Sequence, residues 1–224
     1  MSITIEKQTV VFDYGEVISP VPSQRDRRVI LEFAGADREQ FWAAYWRHRP
    51  SLDVAAMTVM EYWRAIERDV GADWDAQRIH QLYLADFRSW LVIDQPTLEV
   101  LLDLKAGGTR LALLSNAGPD FSSYYRSGML GDLFERVFTS AELGVLKPDP
   151  GIFRAVLREL DVPASSVIFV DDMQQNIDAA TTLGIHSHHY TDAGKLRSFL
   201  NLQATTATQK APEALPVSLS TAQP

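Results

Sequence analysis

The chain has 224 residues, with 21 lysines and arginines against 29 aspartates and glutamates, a formal net charge of −8. That length suits one domain, or one domain carrying an insertion, and the acidic balance excludes a general binder of nucleic acid or anionic membrane, which selects a basic face. With no cysteine, the chain has no disulfide, thiolate metal site or cysteine nucleophile, a composition at home in a reducing cytosol.

The opening segment MSITIEKQTVVFDYG lacks the basic stretch and apolar run of a signal peptide. Apolar runs stay far below the ~18–20 residues that span a bilayer. A cytoplasmic protein that engages neither membrane nor nucleic acid is the expectation; oligomeric state is left open.

In chain order, the first element is the run Val10-Val11-Phe12, ended by Asp13. Residues 19–93 then show helical periods and no clear strand. The segment 39–46 carries Phe41, Trp42, Tyr45 and Trp46, the segment 58–70 carries Tyr62, Trp63 and Ile66, and the segment 74–87 carries Ile79, Leu82, Tyr83 and Phe87. All five tryptophans fall in this stretch, at spacings typical of core packing. Arg47-His48-Arg49 suits either an anion or the carboxyl end of a helix.

Next comes a helix lined by Leu98, Leu101, Leu102 and Leu104 and stopped at Gly107-Gly108. The run 111–114 precedes Ser115-Asn116, and Val137-Phe138 precedes Thr139-Ser140. Asp149 as N-cap and Pro150 at the first position open a helix that buries Ile152, Phe153, Val156, Leu157 and Leu160. The run 167–170 ends in Asp171-Asp172, and a helix carrying Met173, Ile177 and Ala180 follows. Short apolar runs bounded by polar clusters are buried strands, and their alternation with helices predicts a doubly wound parallel α/β sheet.

The expected organisation is an α/β core over 1–18 and 94–202, an all-helical insertion over 19–93, and a disordered tail over 203–224. The tail is mostly Ala, Thr, Ser, Gln and Pro and cannot bury enough to order itself. The strand pattern 186–189 puts His186 and His188 on one face without a carboxylate or cysteine at ligand spacing, which disfavours a metal site there.

Parallel strands bring their carboxyl ends to one edge. Asp13, Ser115-Asn116, Lys147 and Asp171-Asp172 therefore converge from distant parts of the chain. Three carboxylates there repel by about several kcal/mol at an effective dielectric near 20, and an all-oxygen ligand set of this kind suits Mg²⁺. Asp13 is then placed to attack phosphorus. Lys147 and the metal neutralise the phosphoryl group, and Ser115 with the Asn116 N–H bonds its oxygens.

The stretches VVFDYGEVIS, LALLSNAGPD, LGVLKPDPGIF and VIFVDDMQQNIDAATTLGI resemble, in order and spacing, motifs I to IV of the haloacid dehalogenase superfamily, in its branch with a helical cap after motif I. The likeness covers residues 9–191 apart from the insertion. It implies a hydrolase with an aspartyl-phosphate mechanism acting on a small phosphorylated metabolite, plausibly a sugar phosphate. It further implies Asp13 as nucleophile, Ser115 and Lys147 on the phosphate, and Mg²⁺ held by Asp13, the Gly15 carbonyl and Asp172. Asp171 is a further or outer ligand by the same resemblance, and Asn176 steadies the loop.

One position departs from the usual Asp-x-Asp-Gly. The chain reads Asp13-Tyr14-Gly15-Glu16, which removes an acid/base group worth typically ~10²–10⁴-fold. A branch similar to sugar-phosphate phosphatases shares this change. Glu16 or a residue of the insertion replaces that group, or a good leaving group makes it unnecessary. The alternatives are a binding or regulatory protein that lost the reaction, and a 2-haloacid dehalogenase-like hydrolase.

Overall fold

The computed structural model describes residues 2–209, with side chains to residue 204. Among these residues five strands form one all-parallel sheet: β1 (Thr9–Phe12), β2 (Arg110–Ser115), β3 (Arg136–Thr139), β4 (Val167–Asp171) and β5 (His186–His189), in the order β3-β2-β1-β4-β5. The central strand sets the register. Phe12 lies opposite Leu113 on one side and Val170 on the other, and Ser115 opposite Thr139. Asp13, Ser115 and Asp171 thus leave the sheet along one edge.

Every residue of β1 and β4 is buried, as both-face coverage of a parallel sheet demands. Alternate side chains point to opposite faces. Val10, Phe12, Leu113 and Val170 pack on α5 (Gln95–Ala106) and α10 (Ala193–Gln209) through Val100, Leu104, Leu196 and Leu200. Val11, Leu114 and Phe169 pack on α8 (Pro150–Leu160) and α9 (Gln174–Thr182) through Ile152, Phe153, Val156, Ile177 and Ala180. The remaining core helices are α6 (Pro119–Ser127) and the short α7 (Ser140–Leu143).

Between β1 and α5 stand α1 (Gln24–Ala34), α2 (Arg38–Asp53), α3 (Val59–Val70) and α4 (Ala76–Ser89). They bury an apolar cluster of their own, including Ile30, Phe41, Tyr45, Tyr62, Trp63, Ile66 and Leu82. The chain leaves the core after Ile18 and returns at Asp94, whose N–H donates to the Ile18 carbonyl at 2.8 Å.

Several local readings change. The helix α1 was not expected, although Ser23 and Asp26 form a reciprocal cap and Gly35 closes it at φ 59°. Leu102 is 48% exposed rather than buried, because Val100, Leu101 and Leu104 already fill the inner face of α5. Met173 is the exposed N-cap of α9 rather than part of its buried stripe. The helix α10 runs through Gln209, past residue 203 where the tail was expected to begin; the rest of that tail, 210–224, lies outside the described residues. The histidines of β5 pack as rings, His188 stacked on Phe199 at 4.4 Å and His186 edge-on to it. No helix among the described residues is long and apolar enough to cross a membrane.

Because Leu113 is fully enclosed between β1 and the α5 side of the core, Leu113→Ala is expected to lower unfolding free energy by about 2–5 kcal/mol. Leu102→Ala, at an exposed position, changes it by no more than about 0.5 kcal/mol. Urea titration of the two variants checks the contrast.

Candidate active site

Asp13 follows β1 directly. Its N–H continues the ladder to the Val170 carbonyl at 2.9 Å, and its Oδ1 accepts from the Tyr14 N–H at 2.7 Å. The same oxygen lies 2.8 Å from Lys147 Nζ. Lys147 is almost wholly enclosed, at 4% exposure, and its ammonium also donates to Asp171 Oδ2 at 2.7 Å and to the Leu114 carbonyl at 3.1 Å. Three donors thus meet three acceptors.

Asn116 fixes the loop that delivers this lysine. Its Nδ2 donates to the Lys147 carbonyl at 3.0 Å and its Oδ1 accepts from the Lys147 N–H at 2.9 Å. The Asn116 side chain is therefore committed to the lysine loop, which leaves its backbone N–H for the phosphate contact expected of it. Asp171 is fully buried, and its Oδ1 accepts from the Met173 N–H at 2.8 Å and Asn176 Nδ2 at 2.9 Å. Ser115 Oγ sits 3.5 Å from the Tyr125 hydroxyl, too far for a strong hydrogen bond.

Asp13, Asp171 and Asp172 each place an oxygen within 4.8 Å of the others. Burial pushes the Asp13 carboxyl up to about 7; Lys147 pulls it down, and Asp171 and Asp172 oppose that pull. Burial, then the charges of Asp171 and Glu16, bring Asp172 up to about 6. For Lys147, burial favours the neutral amine, but Asp13 and Asp171 outweigh it and hold the ammonium above the ordinary lysine value. When all are ionised, the three carboxylates and one ammonium sum to −2. Asn176 Oδ1, beside them, is buried with no hydrogen-bond partner among the described residues. A hard divalent cation bearing water fits this set: oxygen donors, a charge of matching size, and an acceptor for a bound water.

These groups open into a cavity of about 350 Å³ lined by Asp13, Gly15, Ser115, Asn116, Lys147 and Asn176 on the sheet side. Gly15 has no left-handed backbone, and a Cβ there would meet the Trp90 ring at 3.6 Å. The indole stands beside the space an aspartate side chain would use. Glu16 is exposed, with φ 58°, and is not part of the cavity wall.

The opposite wall comes largely from the insertion and α6: Trp46, Arg49, Pro50, Asp53, Trp90, Phe121 and Tyr125. The Arg47-His48-Arg49 triplet divides. Arg47 and His48 both pair with Asp69, at 2.8 and 2.9 Å, while Arg49 turns inward. Arg49 Nε donates to Asp53 Oδ1 at 2.8 Å, and its Nη1 donates to the Tyr45 hydroxyl and lies 3.7 Å from Asp86. The Tyr45 hydroxyl in turn donates to Asp86 at 2.8 Å. Burial raises the carboxyls of Asp53 and Asp86 above the usual aspartate range despite Arg49. Ser140 Oγ donates to the Asp53 carbonyl at 2.6 Å and accepts from the Ala117 N–H at 2.9 Å, tying α2 to the loop after β2. The sequence reading missed Arg49 and Asp53 as a pair, although their i, i+4 spacing was a signal. Trp90 and Tyr125 gave none.

A sheet of this order with a strand-end carboxylate, a buried lysine and an acidic pair at one edge has a haloacid dehalogenase-like architecture. The chain belongs to the haloacid dehalogenase-like hydrolase family, whose model matches residues 7–184. It is 35% identical over 101 residues to a sesquiterpene phosphatase of Aspergillus oryzae, a match covering 45% of this chain and 52% of that protein. The chain thus spans about half the length of that relative. It is 25% identical over 193 residues to the D-ribitol-5-phosphate phosphatase of Bacteroides thetaiotaomicron, covering 80% of this chain and 90% of that one. Among solved structures, a family enzyme of Bacteroides thetaiotaomicron in complex with magnesium and inorganic phosphate has the same fold, with a TM-score of 0.66 at 24% identity, covering 84% of this chain and 95% of that one.

A cation at this cluster would compete with protons for the same oxygens. With Asp13 and Asp172 raised, the folded metal-free chain holds protons near neutral pH that the unfolded chain has released, so its stability falls as pH rises through that range. Stabilisation by added Mg²⁺ is expected to be larger at about pH 8 than at about pH 6. Thermal melts with and without the ion check this, and an equal or reversed shift contradicts the site.

Proposed function

We propose that the chain is a Mg²⁺-dependent phosphomonoesterase that passes the phosphoryl group of a small phosphorylated metabolite to Asp13 and then to water. The carrying observation is the meeting of Asp13, Ser115 and Lys147 at one cavity, beside the acidic pair Asp171-Asp172. The metal would be held by Asp13, the Gly15 carbonyl and Asp172, with Asp171 as a further or outer ligand. When bound it supplies positive charge to the transferring phosphoryl oxygens.

The residues divide the rest of the work. Asp13 attacks phosphorus with a carboxylate oxygen as the ester P–O bond breaks, giving an aspartyl phosphate. Lys147 opposes the burial that favours protonation of that carboxyl and offsets charge on the phosphoryl group. Ser115 Oγ–H and the Asn116 N–H donate to the equatorial oxygens. Asp171 positions Lys147 through its 2.7 Å contact. We assign the proton delivered to the departing oxygen to Asp53, the carboxyl on the far wall whose burial favours the protonated form. Its carboxylate then takes a proton from the water that hydrolyses the acyl phosphate. The helices over 19–93 act as the cap, and the cytoplasm is the proposed compartment on composition.

A ribitol-phosphate phosphatase among the relatives supports a sugar phosphate, and a sesquiterpene phosphatase supports an apolar one. A second reading, a protein that binds phosphate esters without turnover, rests on Gly15. The acidic pair beside Asp13 disfavours carbon–halogen hydrolysis.

Asp13→Asn is expected to lower kcat by about a thousandfold or more. A Mg²⁺-dependent activity that survives it ends the proposal, and Mg²⁺ binding without turnover in the native chain favours the second reading. Asp53→Asn is expected to lower kcat on alkyl phosphates by about 10²-fold, with a clearly smaller loss on nitrophenyl phosphate, whose leaving oxygen needs no proton. Equal losses on both rule out the assignment of the acid.

A further inference from the structure

The cavity has two chemically different halves. Around Asp13 it is polar and charged. Its other half is lined by Trp46, Pro50 and Trp90 of the insertion and Phe121 of α6, and Leu146 and Met173 of the core loops add apolar surface to the same cavity. Trp46 and Met173 are 54% and 46% exposed, so two large apolar side chains stand at a concave site within reach of water. Exposed apolar surface gathered at a cavity marks a surface meant to be covered.

Several polar groups at the cavity are already engaged within the protein, while the buried Trp90 Nε1–H finds no partner among the described residues. Arg49 spends Nε on Asp53 and Nη1 on Tyr45 and Asp86. The Tyr14 hydroxyl donates to the Trp90 carbonyl at 2.7 Å, and both ends of the Asn116 amide hold the Lys147 backbone. Asp53, the carboxyl here, keeps one oxygen on Arg49 and is assigned above to the ester oxygen. A sugar entering this half would lose the water around several hydroxyls and meet few partners in exchange, which is costly for each one left unpaired. A hydrocarbon loses nothing comparable and covers the indoles.

We infer that the organic half of the substrate is apolar: an alkyl, alkenyl or aryl monophosphate rather than a polyol or sugar phosphate. This rests on the phosphatase reading, and it replaces the sugar phosphate that the motif resemblance suggested. A cavity of about 350 Å³ lies toward the small end of ligand sites, so the group is compact.

The test compares hexyl and phenyl phosphate with glucose 6-phosphate and glycerol 3-phosphate on the Mg²⁺-loaded full chain. The apolar esters are expected to exceed the polyol esters in kcat/KM by about 10- to 100-fold. Equal or better turnover of the polyol esters overturns the inference. Hexylphosphonate and a hydroxylated phosphonate of similar size are titrated in parallel by calorimetry. If no ester is hydrolysed, the phosphatase reading falls, and the phosphonate preference still decides the class of group bound. Trp46→Ala, at an exposed indole, is expected to shrink the hexyl-to-glucose ratio about threefold or more. A ratio unmoved by that change, in a variant that melts like the native chain, also overturns the inference.

Discussion

A fully enclosed ammonium between two carboxylates organises this molecule. Lys147 reaches Asp13 from one side and Asp171 from the other, and a strand carbonyl takes its third proton. Desolvating these charges costs more than a single pair would return. The arrangement persists because every proton and most lone pairs are satisfied: Tyr14 and Met173 supply backbone donors, Asn176 supplies an amide, and Asn116 clasps the loop that carries the lysine. The three strand ends are held in register by the sheet, so the cluster is built on the least deformable part of the chain. Burial favours the protonated form of Asp13, and the ammonium of Lys147 opposes it.

The insertion answers with a cluster of the opposite balance, one guanidinium against Asp53 and Asp86, with the Tyr45 hydroxyl between. Here two carboxyls share a single cation at depth, and burial raises both above the usual aspartate range. Members of both clusters, Asp13 and Lys147 from the first and Arg49 and Asp53 from the second, line one cavity. Ser140 and Ala117 fasten the second cluster to the floor of the first.

What was legible in the sequence follows from where physics acts locally. Asp13, Ser115, Lys147 and Asp171 were readable because three of them end apolar runs that can only be buried strands, and the topology does the rest. The helix α1 was obscured by Arg25, Asp26, Arg27 and Arg28, whose charge hides an inner face carried by Ile30 and Ala34. The strand β5 is His-Ser-His-His, an edge strand whose partner ring, Phe199, comes from a later helix. The use of the Asn116 side chain depends on a loop 31 residues away, and the Arg49 network depends on how α2 and α4 pack. Neither has a period or a spacing that announces it.

The chain crosses between core and insertion twice. Residue 94 returns beside residue 18 and is joined to it by one main-chain bond, so some seventy-five residues begin and end at nearly one point. Loop closure across so short a gap is cheap, and the sheet keeps its register whichever segment fills it. The chain thus leaves and re-enters the core at neighbouring points, so the helices of 19–93 add to the sheet without interrupting its strands.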